Sequence, residues 1–373
     1  MSRVSLTFLW ETPARAIPVF SVFIPFFGCP RRCVFCSQHD QTGQQASPLD
    51  EILARAAADL HARRAQGRPP VELAFYGGTF TALASRDLDA CLDMADSLRR
   101  DGCITRFRCS TRPDRLDAAL LARLRRHGCR TVELGIQSFS DTALQASERH
   151  YSGRQATEAC RLVRDAGLAL GVQLLPGMPG HQPEDFLADV RRALDLGADM
   201  LRFYPCLVLA GTELARRWQQ GLYAPWPLPR TLSLLARGWL YARRAGVPVI
   251  RMGLAPEPGM EAALLAGPAD RNLGGRVLGR ALWLHVCACL LRTRGDDAAR
   301  SEVRAAALLD ALLAGGEAPA GLPRAQALYL PRSCQGFFRG PGDELGTAWA
   351  ALGITRRNLV WTAGQAASLH LDA

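Results

Sequence analysis

The sequence predicts an α/β fold, a parallel sheet with helices packed outside it, on three observations. Strand-like apolar runs alternate with helix-like amphipathic runs six times, with short connections. The unusual stretches, rich in Gly, Cys and Pro, fall just after the strand-like runs rather than in the helices. The 373 residues are 48% hydrophobic and 21% charged, which suits one large domain or two and excludes a disordered tail protein.

Each element has its own signal. The apolar run VFSVFIPF (19–26) reads as a buried strand, and residues 49–67 as a helix stopped by Gly67. VELAFY (71–76) is the next strand, ending at Gly77 and Gly78, and 85–101 is helical. Residues 105–111 form a strand and 117–127 a helix closed by Gly128; 131–137 is a strand. Helices follow at 141–148 and 154–166, the second stopped by Gly167. A strand over 168–176, a helix over 183–196 and a strand over 200–209 complete six units. The texture then changes: a short helix (212–221), three prolines (Pro225, Pro227, Pro229), a helix (230–245) and a candidate further strand (247–253). Beyond that the chain is rich in Ala, Leu, Gly and Arg without a strand–helix rhythm. The expected division is 1–255 and 256–373, the second part an α-rich extension. No run of ~18 apolar residues is present, so no membrane-spanning helix is expected. Glu11 and the prolines near the start oppose a secretory leader, and a cytoplasmic location is expected.

The strand ends carry the chemistry. Strand one leads into GCPRRCVFC, strand two ends in GGTF, and strand three in STRPD. Strand four ends in GIQSF, strand five in LPGMPG, and strand six in YPCLVLAGT. In parallel α/β barrels that face holds the active site, so the asymmetry points to an enzyme. The formal charge is +10, and all 45 basic residues are arginines. A basic balance suits polyanionic partners, and the absence of lysine excludes Schiff-base chemistry through that side chain.

Twelve cysteines divide into Cys29, Cys33 and Cys36, clustered as C-x3-C-x2-C, and nine scattered ones that read as small buried hydrophobes. Three thiolates on one loop can ligate three irons of a [4Fe–4S] cube and leave the fourth open. Zinc held by Cys29, Cys33, Cys36 and His39 is the rival reading of the same spacing. It would make the chain a zinc-stabilised RNA-binding protein. A barrel enzyme with a purely redox cluster is a third.

With Phe35 in the position before the last cysteine, C-x3-C-x-aromatic-C resembles the signature of the radical S-adenosylmethionine (SAM) superfamily. Gly77-Gly78-Thr79 is similar to that superfamily's glycine-rich loop for the SAM methionine moiety. GIQSF and LLPGMPG resemble oxygen-independent coproporphyrinogen III oxidase and its relatives. STRPD, VELGIQSF, LLPGMPG and LRFYPCLVLAGTELARRWQQGLYAPW together resemble the radical SAM domain of the Elongator catalytic subunit family, over about residues 19–254. Two departures stand out. Eukaryotic Elongator subunits have a longer gap between the first two cysteines, and no acetyltransferase domain is recognisable in the tail. AGPADRNLGGRV looks instead like a segment of shorter bacterial relatives.

The resemblance implies a partial (β/α)6 radical SAM barrel with a C-terminal α-rich extension. It implies a [4Fe–4S] cluster on Cys29, Cys33 and Cys36 whose open iron chelates SAM. Reductive cleavage would give methionine and a 5′-deoxyadenosyl radical that attacks a substrate in the barrel mouth. The electron would come from a flavodoxin or ferredoxin type of donor, and tRNA is first among the substrates. Phe35, Gly77, Gly78 and Thr79 would surround the cofactors. Arg112 reads either as a contact to the SAM carboxylate or as a surface ion pair. Gln137 reads as a contact to the SAM ribose. Glu133 shares a strand face with Gln137 and should lie deeper, paired with an arginine. Tyr204 and Cys206 alternate on strand six as core or substrate contacts. Cys287, Cys289 and Cys334 read as buried thiols or as ligands of an auxiliary cluster, and His150 as a proton donor or a surface residue.

Overall fold

The computed structural model describes residues 4–9, 17–38, 47–254, 258–319, 322–364 and 366–371. In chain order, strand β1 (Val4–Leu9) precedes β2 (Val19–Phe23), helix α1 (Leu49–Ala65), β3 (Val71–Tyr76), α2 (Ser85–Arg100), β4 (Ile104–Thr111), α3 (Ala118–Arg126) and β5 (Cys129–Gln137). Then come α4 (Asp141–Ala146), α5 (Gly153–Asp165), β6 (Ala169–Leu174), α6 (Pro183–Asp195), β7 (Met200–Phe203), β8 (Val208–Leu209), α7 (Glu213–Gln219), α8 (Leu228–Arg244) and β9 (Val249–Met252).

Seven of these strands form one sheet in the order β2-β3-β4-β5-β6-β7-β9, and every neighbouring pair is parallel. Both edge strands contribute side chains to the same cavity, Val19 and Ser21 from β2 and Ile250 and Arg251 from β9. The sheet is therefore curled into an open half-barrel. The α/β prediction and its parallel order hold, and the candidate further strand at 247–253 is β9, the seventh of the sheet. Expected strand 200–209 is shorter, because the chain leaves the sheet after Phe203 and β8 pairs antiparallel with β10 (Leu264–Ala266) instead. Pro205 has no N–H to donate to a ladder, which suits that exit.

The central strands β3 to β6 are mostly buried on both faces, as a helix-covered parallel sheet requires. Leu73, Phe75, Phe107, Val132 and Leu134 have almost no exposed surface. Phe75 stacks on Phe80 with ring centroids 4.8 Å apart and meets Phe107 edge-on at 5.9 Å. Each such buried ring contributes about 1.5–3 kcal/mol. The alternate residues of the same strands, Glu72, Tyr76, Arg108 and Glu133, form a polar network inside the half-barrel. Helix starts are set by local chemistry. The Ser152 hydroxyl accepts from Gln155 N–H while the Gln155 side chain accepts from Ser152 N–H, and Asp117 accepts from Leu120 N–H at 2.8 Å.

By contacts the chain divides into two units. One comprises Arg15–Pro227 and Tyr241–Arg271 and holds the half-barrel; the expected boundary at 255 falls inside it. The other comprises Met1–Ala14, Leu228–Leu240 and Asn272–Ala373. It contains helices α10 (Leu273–Arg292), α11 (Ala298–Leu313) and α12 (Gly346–Ala351), numbered after α9 (Pro258–Ala263) of the barrel unit. The helices of the extension are joined by a four-stranded sheet absent from the sequence reading, in the order β1-β13-β11-β12 with β11 (Ala325–Pro331), β12 (Leu359–Thr362) and β13 (Ala366–Leu371). Its first strand, β1, lies at the opposite end of the chain from the other three, so no local pattern links them. Helix α10 is 20 residues long and apolar enough, by length and composition, to cross a membrane, against the expectation that no such run exists. It is mostly buried among the chain's own residues, as a core helix is.

Candidate functional site

The cysteine loop begins with two residues at positive φ, Phe26 at 61° and Gly28 at 70°. A Cβ on Gly28 would lie 2.3 Å from the Thr79 carbonyl oxygen. Reciprocally, a Cβ on Gly78, itself at φ 57°, would lie 2.2 Å from the Phe27 carbonyl oxygen. Thr79 N–H donates to that same oxygen at 2.7 Å. The two loops are thus keyed together by glycines, where only the missing side chain permits the approach. Gln38 fastens the joint: its Oε1 accepts from Phe26 N–H at 2.6 Å and from Gly78 N–H at 2.9 Å.

This loop presents the three cysteines differently from all others. Cys29, Cys33 and Cys36 are half-buried, whereas the nine remaining cysteines are buried. Cys29 Sγ lies 3.3 Å from Thr79 Oγ1. Cys33 Sγ accepts from Arg149 at 2.8 Å and from Arg112 at 3.7 Å. Burial raises the Cys29 thiol pKa, and burial first, then the neighbouring Cys33 and Cys29, pushes Cys36 up to about 12. Ligation by iron would therefore have to displace protons from these thiols. Among the described residues no three His, Cys, Asp or Glu side chains converge to hold one metal ion. A cube does not need such convergence, since each thiolate meets a different iron. The His39 of the zinc reading lies outside the described residues.

Arg112 and Arg149 are buried, so neither is a surface residue. Arg112 is held by Asp114 at 2.9 and 3.1 Å and donates to the Arg149 carbonyl at 2.6 Å. Arg149 donates to Gly135 O at 2.7 Å and to the Tyr151 hydroxyl at 2.9 Å. Burial works against its charge, but Tyr151 and Cys33 outweigh burial and raise its pKa. Two fixed positive charges beside Cys33 would compensate the negative charge of a thiolate-bound cluster.

The residues expected to hold the [4Fe–4S] cluster and SAM all lie on one cavity of ≈ 810 Å³. Cys29, Cys33, Phe35 and Cys36 border it with Gly77, Gly78, Thr79, Arg112 and Gln137. Gln137 ends β5 at φ 66°, a left-handed conformation rare outside glycine and asparagine. Tyr204 and Cys206 also line the cavity. Below them Glu133 accepts from Arg108 at 3.2 Å, from Tyr76 at 2.8 Å and from Gln173 at 3.1 Å, and lies 2.6 Å from Arg202. It is the interior arginine partner that strand alternation suggested. Burial, then Glu133, raises the Tyr76 pKa, so that hydroxyl keeps its proton. The LPGMPG turn is anchored beneath the cavity: Gly177 N–H donates to His181 Nδ1 at 3.3 Å, and His181 Nε2 lies 3.1 Å from buried Asp189.

Other candidates lie off this cavity. His150 is exposed and is not a cavity residue. Cys287, Cys289 and Cys334 are buried and do not line the cavity. Sequence reasoning missed Gly28, Gln38, Arg149 and Tyr151. Gly28 adjoins Cys29 and could have been flagged as a turn residue. Arg149 carries no local signal, because 116 positions separate it from Cys33.

Comparison with known proteins agrees with this geometry. The family model for the radical SAM superfamily matches residues 23–193, and that for the Radical_SAM C-terminal domain matches residues 198–280. The tRNA uridine(34) acetyltransferase of Dehalococcoides mccartyi is 30% identical over 272 residues, covering 63% of this chain and 57% of that protein. The enzyme of the same description from Methanocaldococcus jannaschii is 26% identical over 279 residues, 63% of this chain and 51% of its own. Heme chaperone HemW of Escherichia coli is 26% identical over 207 residues, with 54% of each chain covered. The chain spans about half the length of the curated relatives it matches. The solved structure of archaeal Methanocaldococcus infernus Elp3 superposes with a TM-score of 0.54 at 22% identity, over 70% of this chain and 61% of that one, a likeness of fold.

Proposed function

Because the chain belongs to the radical SAM superfamily, we propose that it binds a [4Fe–4S] cluster through Cys29, Cys33 and Cys36 and cleaves SAM reductively. One observation carries this reading: the only half-buried cysteines lie on the same cavity as every other residue assigned to the cofactors. When bound, a reduced cluster would supply the single electron for reductive cleavage of SAM and so the means to remove a hydrogen atom from a substrate. The protein's own part is positioning and electrostatics. Arg112 and Arg149 compensate negative charge at Cys33. The backbone at Gly77-Gly78-Thr79, Arg112 and Gln137, all on the cavity, would hold SAM. The cavity below them holds substrate away from bulk water. Substrate and electron donor come from chemistry outside the chain: a flavodoxin or ferredoxin type of donor, and tRNA first among substrates, in line with the tRNA-modifying relatives. A cytoplasmic setting belongs to the same proposal.

The test is direct. Anaerobically isolated chain should contain iron and acid-labile sulfide in equal amounts and should form 5′-deoxyadenosine from SAM on reduction. Colourless protein holding zinc instead, through Cys29, Cys33 and Cys36, would overturn the reading.

A further inference from the structure

The cavity wall is unusual in charge: eight of its lining residues are arginines and one, Glu72, is acidic. Four of the eight arginines have a carboxylate partner. Glu72 takes Arg106 and Arg108, Glu133 takes Arg108 and Arg202, and Asp114 takes Arg112. Of the other four, Arg31 and Arg32 lie on the cysteine loop and Arg149 faces Cys33, whereas Arg251 lies on β9. It is paired in register with Arg202 of β7, so the two side chains share the inner face of adjacent parallel strands. Like charges set side by side on a sheet repel, and one of them would normally be replaced or neutralised. Arg202 is committed to Glu133 and to the Tyr204 hydroxyl at 3.0 Å. Arg251 makes one bond, from its Nε to the Gly253 carbonyl at 3.3 Å, which leaves its terminal nitrogens on the cavity without an acidic partner among the described residues.

We infer that Arg251, backed by Arg202 and Tyr204, is a subsite for an oxyanion of the substrate, a phosphate or a carboxylate. Guanidinium is the side chain that binds such groups in a forked, planar fashion, and an anion there relieves the repulsion between the two arginines. The subsite is separate from Arg112 and Arg149, which face the cysteine loop. It deepens the proposed function by assigning an anionic substrate, and it rests on the reading that this cavity holds substrate.

Calorimetric titration of the anaerobically isolated, unreduced chain with inorganic phosphate, and separately with acetate, tests it. One of the two anions should bind saturably, and Arg251→Gln should weaken that binding by about tenfold or more, the loss expected for a charge-assisted hydrogen bond. Arg251→Lys should retain part of it, and Arg154→Gln, on the outer face of α5, should leave it unchanged. Tighter phosphate assigns a phosphoester substrate and tighter acetate a carboxylate, and either supports the subsite. Absence of saturable binding, or equal affinity in Arg251→Gln, overturns it. Loss through Arg112→Gln but not Arg251→Gln also overturns it, because the anion would then occupy the cofactor end. No step requires SAM cleavage, so failure of the radical reading would show separately as absent 5′-deoxyadenosine.

Discussion

Cys33 shows how a side chain's role is set by partners far along the chain. Its sulfur is reached by two buried arginines from beyond β4 and α4, while Cys29 meets Thr79 and Cys36 is held by burial. Replacing Cys29, Cys33 or Cys36 by Ala should abolish iron retention, and Cys91→Ala, buried on α2, should keep it; iron per chain decides. Because burial keeps Cys29 and Cys36 protonated in the metal-free chain, iron–sulfur uptake must release their protons. Reconstitution should therefore strengthen as pH rises and weaken as it falls, which a titration of bound iron against pH will measure. Gly78 departs from what the motif alone suggests. As a pure cofactor contact, Gly78→Val would spare the cluster. A Cβ 2.2 Å from Phe27 O instead displaces the cysteine loop, so Gly78→Val should lose iron as well as SAM affinity. Iron content equal to the parent chain's would contradict this keying. The motif's position was legible in sequence, but not this second duty, since Gly28 and Gly78 meet only after β2 and β3 pair.

At the level of elements, β5 carries both the apolar ridge that seals the helices and the acid that organises the barrel interior. Strand alternation made this division readable: Val132 and Leu134 on one face, Glu133 on the other. What alternation could not reveal is the number of partners. Glu133→Ala would leave Arg108 and Arg202 facing each other without their shared carboxylate. Breaking such a buried pair costs about 3–5 kcal/mol, visible as a lower denaturant midpoint. Glu133→Gln, which keeps hydrogen bonding, should cost less. A midpoint unchanged in Glu133→Ala would show that the arginines are already neutralised by other groups. Gly171 on β6 belongs to the same device. A Cβ there would stand 2.7 Å from Glu133 Cγ, so the small residue makes room for the carboxylate.

For the molecule as a whole, the +10 charge is carried entirely by arginine and is spread between the cavity and the outer helices. Arg63 and Arg64 lie in the last turn of α1, outside the half-barrel. With tRNA as substrate, binding should weaken with salt at a log–log slope of about −0.7 to −0.9 per phosphate contacted. Joint reversal of Arg63 and Arg64 to Glu should weaken it further without changing uncoupled SAM cleavage, as read by filter binding and 5′-deoxyadenosine yield. Undetectable tRNA binding at low salt removes tRNA as the substrate. Binding unchanged by the reversals moves the contact elsewhere on the surface.

The sequence by itself determined the parallel α/β order, the face that carries the chemistry and the three cysteines. Those features are periodic or contiguous: alternation reports burial on a strand, glycines mark helix ends, and the cysteine loop is eight residues of unbroken chain. Only the tertiary structure decided what surrounds them. The arginines at Cys33, the glycine keying and the Gln38 fastening join segments tens of residues apart. So do the seventh strand beside β7 and the sheet that joins β1 to β13 across almost the whole chain. Such contacts leave no local pattern, because each partner satisfies its own helix, turn or strand and the chemistry arises only when the folded chain brings them into one cavity.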